Sequence, residues 1–241
     1  MGYLRFNPRP RFGGAIVFAD RPEMEKAVPL MELIDGKLGA SAALRNEPVQ
    51  ARSTARLTAL LDAAAAAIDE LGYERLTTAM VAERAGASIG TVYRYFPDRI
   101  AVLQALAARN LERVLEGIDE AVRDPRNGTW RDAVIACFDV YVDAFRSEPG
   151  FASLRGGDVL DLRPATGTAT VNSHLAEVTA TSLAERFGTD ASEETLFAFE
   201  NAIEVQDALI ARAFARSSRG DSAFLERGRT LVLSILGDRL G

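Results

Sequence analysis

Apolar residues recur every three or four positions along most of the chain after residue 50, which is the spacing of one buried face of an α-helix. The first such stripe consists of Leu57, Leu60, Leu61, Ala64, Ile68 and Leu71. Gly72 follows it and predicts a helix end, because glycine readily adopts the left-handed conformation that closes many helices. A longer stripe after Asp98 consists of Ile100, Leu103, Ala107, Leu111, Val114 and Ile118. It predicts a long helix that ends near Asp124 and Pro125, since proline cannot continue a helix.

The remaining sequence continues this pattern. Helices are predicted over about 129–147, 165–187, 192–217 and 222–240, separated by turn-forming residues such as Glu148-Pro149-Gly150 and Gly220-Asp221. No stretch alternates apolar and polar residues strongly enough to predict a strand. The pattern therefore predicts an all-α fold, with a small three-helix domain at 51–97 and a larger helical domain at 98–241.

The most informative stretch lies between positions 77 and 99. Thr77 or Thr78 is placed to cap a short helix, and Ser88 is placed to cap the next one. Gly86 lies between them, where a tight turn between helices commonly needs a positive φ. The positions expected to face the core are Val81, Ala82 and Ala85 on the first helix and Val92 and Phe96 on the second. This arrangement predicts a helix-turn-helix, whose second helix enters the major groove of DNA.

The outward positions of that second helix suit contact with DNA. Gly90 has no side chain and allows a close approach of the backbone to a phosphate, while Thr91 and Tyr93 present hydroxyls. Arg94 carries a planar guanidinium able to bond a guanine edge or a phosphate, and an exposed Ile89 suits contact with a thymine methyl. The helix is therefore predicted to be the recognition helix.

The same residues resemble the DNA-binding domain of TetR-family regulators over about residues 52–115. The matching positions are Thr77, Thr78, Val81, Ala82, Ala85, Gly86, Ser88, Gly90, Thr91, Val92, Tyr93, Tyr95 and Phe96. The resemblance implies a three-helix DNA-binding domain, a fourth helix that links it to the rest, and a helical C-terminal domain that binds a ligand and dimerises.

The resemblance also implies roles for individual residues. Thr77, Thr91 and Tyr93 fall on positions that contact phosphates, and Ile89 and Arg94 fall on positions that read bases. Two residues depart from the family pattern: Arg99 stands where the family usually has lysine, which keeps the charge, and Ala87 replaces a commoner valine. The predicted DNA-binding residues are Thr77, Thr78, Ser88, Ile89, Gly90, Thr91, Tyr93, Arg94, Tyr95 and Arg99.

Residues 1–50 lie outside the family pattern and show no sustained periodicity, although positions 22–38 predict one short helix interrupted at Pro29. Three interpretations of this extension stay open. It is an error in the assigned start, with Met24, Met31 or an alternative start codon as the true one; it is disordered or loosely packed; or it is an arm that touches DNA or docks on the body. An arm is suggested by four arginines against one acidic residue in the first 21 positions: Arg5, Arg9, Arg11 and Arg21.

The last two helices are apolar on more than one face. A helix of this kind is covered on both sides, so a dimer interface built from two helices of each copy is predicted, with a wholly internal core as the alternative. The residues predicted at the interface are Phe199, Ile203, Ile210, Val232, Ile235 and Leu236.

A ligand-binding cavity is predicted among the middle helices. Its candidate residues are Leu106, Asn110, Phe138, Tyr141, Phe145, Phe151 and His174. An aromatic stripe at this spacing is also typical of an ordinary core, and a helical histidine is often only a surface or hydrogen-bonded residue. Few charged residues fall on the inward faces, so the expected ligand is apolar or aromatic.

Composition narrows the classes of function. The net charge is −6, and residues 51–110 carry seven basic and six acidic side chains, so charge alone does not predict DNA binding. A single cysteine, Cys137, excludes an internal disulfide, and with a single histidine no Cys/His zinc site is expected. No apolar run approaches the about 18 residues that span a bilayer, and no secretory signal is evident. We therefore expect a cytoplasmic protein without a membrane partner, metal or cofactor.

These observations predict a homodimeric transcription regulator that binds a double-stranded DNA operator. The expected activity is that of a repressor released from a palindromic operator by an apolar or aromatic small molecule. An activator, or an architectural DNA-binding protein of the same fold, is the alternative. Enzyme activity is not expected, because the sequence shows no Ser/His/Asp set, paired-carboxylate motif or phosphate loop, and His174 would have to carry any imidazole chemistry.

Overall fold

The computed structural model describes residues 47–155 and 171–241, and within these ranges the chain forms helices joined by short turns, without a strand. The α-helices in the described ranges are α1 (Glu47–Leu71), α2 (Thr78–Arg84), α3 (Ile89–Tyr95), α4 (Arg99–Arg123), α5 (Trp130–Ser147), α6 (Phe151–Arg155), α7 (Val171–Phe187), α8 (Glu193–Arg216) and α9 (Ser222–Leu240), and a 3₁₀ turn, Tyr73–Arg75, follows α1. The all-α fold predicted from the periodicity is confirmed.

Some predictions fall outside the described residues. The short helix at 22–38 and the interpretations of the extension up to residue 46 do so, as do the first six positions of the helix predicted at 165–187. The described part of that helix is α7. At the other predicted boundaries the agreement is close: α5 ends at Ser147, and α9 spans the predicted Ser222–Leu240.

Helices α1, α2 and α3 share a core built from the predicted stripe. Leu60, Leu61 and Ile68 of α1 are at most 1% exposed, and Val81 of α2 and Val92 of α3 are fully buried. Burial of one such aliphatic side chain contributes about 1.5–3 kcal/mol, so these residues stabilise the small domain.

Helix α4 joins this small domain to the larger one. Asp98 caps its start, with Oδ1 accepting a hydrogen bond from the Ala101 amide at 2.8 Å, and it ends just before Asp124 and Pro125, as predicted. Its 25 residues extend over about 37 Å at about 1.5 Å per residue. The helix therefore contacts α1 near one end and α5 and α7 further along.

The larger domain is a bundle in which α5 lies centrally. Tyr141 and Phe145 of α5 pack with Phe151 of α6, with ring centroids 5.2–6.0 Å apart. Phe214 of α8 stacks on Phe145 at 5.4 Å, which ties the α8–α9 pair to the same aromatic cluster. Aromatic pairs at these distances add attraction beyond the burial of apolar surface, so this cluster fixes where α6 and α8 lie on α5.

Cys137 of α5 lies in this core, and burial raises the pKa of its thiol to about 12. The thiol is therefore protonated and unreactive at neutral pH. Among the described residues, no group of three or more His, Cys, Asp and Glu side chains is arranged to hold a metal ion. None of the described helices combines the length and the apolar composition that crossing a membrane requires.

Candidate functional site

Two capping residues build the helix-turn-helix locally. The Thr77 hydroxyl accepts a hydrogen bond from the Met80 amide at 3.2 Å at the start of α2, and the Ser88 hydroxyl accepts one from the Thr91 amide at 3.1 Å at the start of α3. Both side chains satisfy amides that would otherwise lack a partner at a helix start. Of the two threonines considered for the first cap, Thr77 is the one used.

The turn between α2 and α3 depends on Gly86. Its φ is +56°, its amide donates to the Glu83 carbonyl at 3.2 Å, and the Ala87 amide donates to the Ala82 carbonyl at 2.9 Å. This pair of bonds is a Schellman motif, which closes a helix through a residue in the left-handed region. The predicted positive φ at Gly86 is confirmed, and the turn sets α3 at a fixed angle to α2.

The outer face of α3 presents the residues that were predicted to meet DNA. Ile89 is 44% exposed and Tyr93 is 53% exposed, and they belong to the few large hydrophobic side chains on the described surface. Gly90 and Arg94 are exposed beside them, while Thr91 is half-buried, with its hydroxyl oxygen 2.9 Å from that of Ser88. The face is therefore a mixture of apolar, hydroxyl and cationic groups.

Gly90 is not required by the fold. Its φ is not positive, and a Cβ atom built there would have the Ser88 hydroxyl oxygen at 3.8 Å as its nearest neighbour. Glycine inside a helix destabilises it by about 0.5–1 kcal/mol relative to alanine. No internal contact explains the glycine, and a close approach of DNA to this residue stays a prediction.

Three other predicted DNA-binding residues already have partners within the chain. The Thr78 hydroxyl lies 3.5 Å from that of Tyr93, and the Tyr95 hydroxyl lies 3.1 Å from that of Ser53 on α1. Arg99 donates from Nη1 to the Glu74 carbonyl at 2.7 Å, so it holds the 3₁₀ turn against the start of α4. These three side chains therefore make contacts within the small domain, and their role as DNA contacts stays a prediction.

Two basic residues beside this surface were not singled out from the sequence. Because Ser53 meets Tyr95, the start of α1 lies at the C-terminal end of α3. Arg52 and Arg56 flank Ser53 and are exposed. Their spacing of four residues puts them on one side of α1, and that spacing is the signal in the sequence that could have identified them.

A second candidate site is an apolar cavity within the larger domain. Its described lining residues are Ala107, Asn110, Leu111 and Val114 of α4, Tyr141 of α5, Phe151 and Leu154 of α6, and Val171 and Leu175 of α7. It encloses about 350 Å³ of space between atoms, part of which opens to solvent, yet it is so narrow that its interior admits about one water molecule. In this state the walls are nearly closed.

The structure brings together three of the seven predicted cavity residues, Asn110, Tyr141 and Phe151. The other four are not among the described lining residues, and their role in ligand binding stays a prediction. Leu106 and Phe138 are fully buried core residues, and the Phe138 ring fills the space above Gly228 that a Cβ atom would occupy, while Phe145 stacks on Phe214. His174 is half-buried on α7 outside the cavity lining.

Most of the predicted dimer-interface residues lie in the interior of one copy, and their role in dimerisation stays a prediction. Five of the six are at most 7% exposed within one copy of the chain, so they form its own core: Phe199, Ile203, Ile210, Val232 and Leu236. Ile235 is half-buried. Three other apolar residues of α8 and α9 are half-buried and are not among the residues of the main core, Val205, Leu209 and Leu231.

Contacts between the cavity walls and α1 connect the two candidate sites. Gly150, which directly precedes Phe151, has a φ of +75°, and its Cβ position would lie 3.1 Å from Ile68 Cγ2 and 3.2 Å from the Ala65 carbonyl. On α4, Arg109 pairs with Asp62 of α1 at 2.7 Å. Both contacts are adjacent in sequence to cavity residues.

The chain has a helix-turn-helix with an exposed recognition helix, and a long helix joins it to a larger helical bundle with an internal cavity. This combination defines a class of protein, the DNA-binding transcription regulators. Two family models match the chain. The model described as "Bacterial regulatory proteins, tetR family" matches residues 60–106, and the one described as "Tetracyclin repressor-like, C-terminal domain" matches residues 128–240. A solved TetR-family transcriptional regulator from Streptomyces coelicolor is 34% identical, with a TM-score of 0.65 over 77% of this chain and 99% of that one. The chain belongs to the TetR family of transcriptional regulators.

Several curated relatives match part of the chain. The HTH-type transcriptional repressor KstR of Rhodococcus jostii is 44% identical over 55 residues, which are 23% of this chain and 26% of that protein. The nucleoid occlusion factor SlmA of Actinobacillus pleuropneumoniae is 33% identical over 91 residues, 38% of this chain and 44% of that protein. The chain thus matches less than half of the length of these relatives.

Proposed function

We propose that the protein is a ligand-responsive repressor that binds a palindromic operator as a homodimer and is released by an apolar or aromatic small molecule. The observation that carries this proposal is the apolar cavity whose walls are in direct contact with the helix that supports the recognition helix. The similarity to the repressor KstR, 44% identity over 55 residues, supports repression.

The DNA contacts follow from the exposed face of α3. Thr77, Thr91 and Tyr93 offer hydroxyls to phosphates, and Ile89 and Arg94 reach base edges in the major groove. Arg52 and Arg56 add cationic contacts to the flanking phosphates. Since each phosphate contact contributes to the salt dependence of binding, replacing either arginine by alanine is expected to reduce the salt slope by about one.

Dimerisation would use α8 and α9. The candidates are Val205, Leu209 and Leu231, half-buried apolar residues of these helices that are not among the residues of the main core. In a symmetric dimer these residues face their own copies across a two-fold axis. Two recognition helices related in this way require an operator with half-sites about one DNA turn, or a multiple of it, apart.

Ligand entry would act on DNA binding through α4 and α6. Because the cavity admits about one water molecule, a larger molecule has to move the walls apart. Phe151 is one such wall, and its neighbour Gly150 rests on Ala65 and Ile68 of α1. A displacement of α6 therefore moves α1. A ligand that binds better to the opened form then lowers the affinity for the operator, by the free energy that couples the cavity to the DNA-binding site.

Mapping of the DNA protected by the purified full chain tests the repressor function. We expect protection of one near-palindromic site, reduced transcription from a promoter that overlaps it, and loss of protection when an effector from a metabolite screen is added. Increased transcription from that promoter would instead identify an activator.

An architectural role is the second candidate, and the 33% identity to SlmA over 91 residues is the observation that favours it. Extended protection over many turns of DNA, with an affinity that depends little on sequence, would support it over repression. The same footprinting experiment therefore separates the two functions.

A further inference from the structure

The cavity contains one polar group whose hydrogen-bonding capacity is unused. The Asn110 side chain is 4% exposed, and its Nδ2 atom has no hydrogen-bond partner among the described residues. Unpartnered buried donors are rare in native proteins, because each loses its bonds to water and gains nothing in return. Asn110 also lines the cavity, so its amide lies where a bound molecule could use it.

An ordered water molecule is a poor partner for this amide. A buried water is typically held by about two to four polar groups. Of the described lining side chains, only Asn110 and Tyr141 carry polar atoms. The Tyr141 hydroxyl donates its proton to Asp207 Oδ1 of α8 at 3.2 Å, so this proton is already used.

The other described lining residues carry no charge. The described lining side chains besides Asn110 and Tyr141 are aliphatic or phenyl groups, with no Lys, Arg, His, Asp or Glu among them. An ionised ligand group would enter this apolar space without a counter-ion, which is strongly unfavourable. The rings of Tyr141 and Phe151 offer instead surfaces on which an aromatic or aliphatic group can pack.

We propose that the effector is an uncharged, largely apolar molecule that carries a hydrogen-bond acceptor such as a carbonyl oxygen, and that Asn110 Nδ2 donates to this acceptor. The proposal rests on the proposed function, in which this cavity binds the effector. It makes Asn110 the residue that distinguishes an acceptor-bearing ligand from a hydrocarbon of the same shape.

Five probes of similar size separate the chemical classes when titrated calorimetrically into the full chain. They are acetophenone (acceptor), ethylbenzene (no polar group), indole (N–H donor), benzoate (anion) and benzylammonium (cation). We expect acetophenone to bind about three- to tenfold more tightly than ethylbenzene, which is the range of one neutral hydrogen bond. Tighter binding of indole, benzoate or benzylammonium than of acetophenone would overturn the proposal.

Asn110→Leu isolates the amide, because leucine has a similar shape and no donor. The variant should bind acetophenone and ethylbenzene equally, with the affinity for ethylbenzene unchanged or higher. Asn201→Leu, an exposed position on α8 outside the cavity, is the matched control and should keep the three- to tenfold preference. A preference that survives in Asn110→Leu would contradict the assignment.

Thermal unfolding without ligand provides a second measurement. Removal of an unpartnered buried donor should leave the Tm of Asn110→Leu equal to or higher than that of the unmodified chain. A large fall in Tm would mean that the amide has a structural partner, and the proposal would be wrong.

The outcomes also separate this proposal from the proposed function. Ethylbenzene and acetophenone could both bind and release the operator, with a ratio of dissociation constants that is the same in Asn110→Leu. In that case the cavity is the effector site, but the proposed ligand class is wrong. If no probe binds at millimolar concentration and none releases the operator, the effector cavity itself is wrong.

Discussion

Tyr93 and Arg94 are adjacent on α3 and both exposed, yet they differ in what they can recognise. Tyr93 offers one hydroxyl, which suits a phosphate present at every step of DNA. Arg94 offers a fork of donors that matches the edge of guanine, and its guanidinium lies 5.2 Å over the Tyr95 ring, a contact that restricts its orientation.

We therefore expect Tyr93→Phe to weaken binding to operator and random DNA alike, by about tenfold, the value of a hydrogen bond to a charged group. Arg94→Ala should weaken operator binding by about ten- to hundredfold and random DNA much less, since it removes discrimination between bases. Dissociation constants for both duplexes at one fixed salt concentration test this. Equal effects of Arg94→Ala on both duplexes would show that Arg94 holds a phosphate.

Gly90 gives a prediction in which stability and binding move in opposite directions. Gly90→Ala should stabilise the chain by about 0.5–1 kcal/mol, because alanine favours the helix and no neighbour lies within 3.4 Å of the new Cβ atom. The same methyl should lower operator affinity by blocking the close approach of DNA. Urea unfolding and operator titration of one variant measure both effects, and unchanged operator affinity would show that DNA does not approach this residue.

At the scale of elements, the helix-turn-helix was predictable because its signals are local. Thr77, Gly86 and Ser88 act within four residues of their own position, so their types and spacing define the caps and the turn. The cavity was only partly predictable. Phe138 and Tyr141 lie three residues apart on α5, and whether each becomes core or cavity wall depends on α9, where Gly228 makes room for the Phe138 ring. Arg99 similarly meets a carbonyl 25 residues away.

The turn between α5 and α6 is the element whose alteration should affect both sites. Gly150→Ala is expected to destabilise the chain by about 1–2 kcal/mol for its positive φ, and further because the new methyl lies 3.1 Å from Ile68. It should also change operator affinity, since it presses on α1. Unfolding and operator titration test this.

Gly188→Ala is the matched control for this change. Gly188 has a similar φ of +66°, but its Cβ position has no neighbour within 4 Å. The Gly188→Ala variant should be destabilised only by the cost of its positive φ, and it should bind the operator as tightly as the unmodified chain. If Gly150→Ala and Gly188→Ala behave alike in both measurements, the contact with α1 does not couple the sites.

At the scale of the whole molecule, the face of the last two helices that meets a second copy is the hardest feature to predict. Phe199 and Val232 were predicted at the interface because both helices are apolar on more than one face, and a periodic pattern does not distinguish the face that meets the chain's own core from the face that meets a second copy. Both residues are buried within one copy of the chain. The half-buried Val205, Leu209 and Leu231 are therefore our candidates for the interface.

Leu231→Arg is accordingly expected to convert a dimer into a monomer at micromolar concentration and to lower operator affinity by more than tenfold, because a charge would face its own copy across the interface. Phe197→Arg is the control: Phe197 is 64% exposed, but it lies on the side of α8 that faces α7. Sedimentation velocity and operator titration measure both variants. A Leu231→Arg chain that stays dimeric would move the interface elsewhere.

The near-closed cavity has a consequence for the sensitivity of the regulator. If the binding-competent, opened form is a small fraction of the population, the apparent dissociation constant of the effector is its intrinsic value divided by that fraction. On the proposed function, the protein would then ignore traces of the effector and respond only once the effector becomes abundant. The size of the wall residues, Leu111 and Leu154 among them, would set this detection threshold without any change in what is recognised.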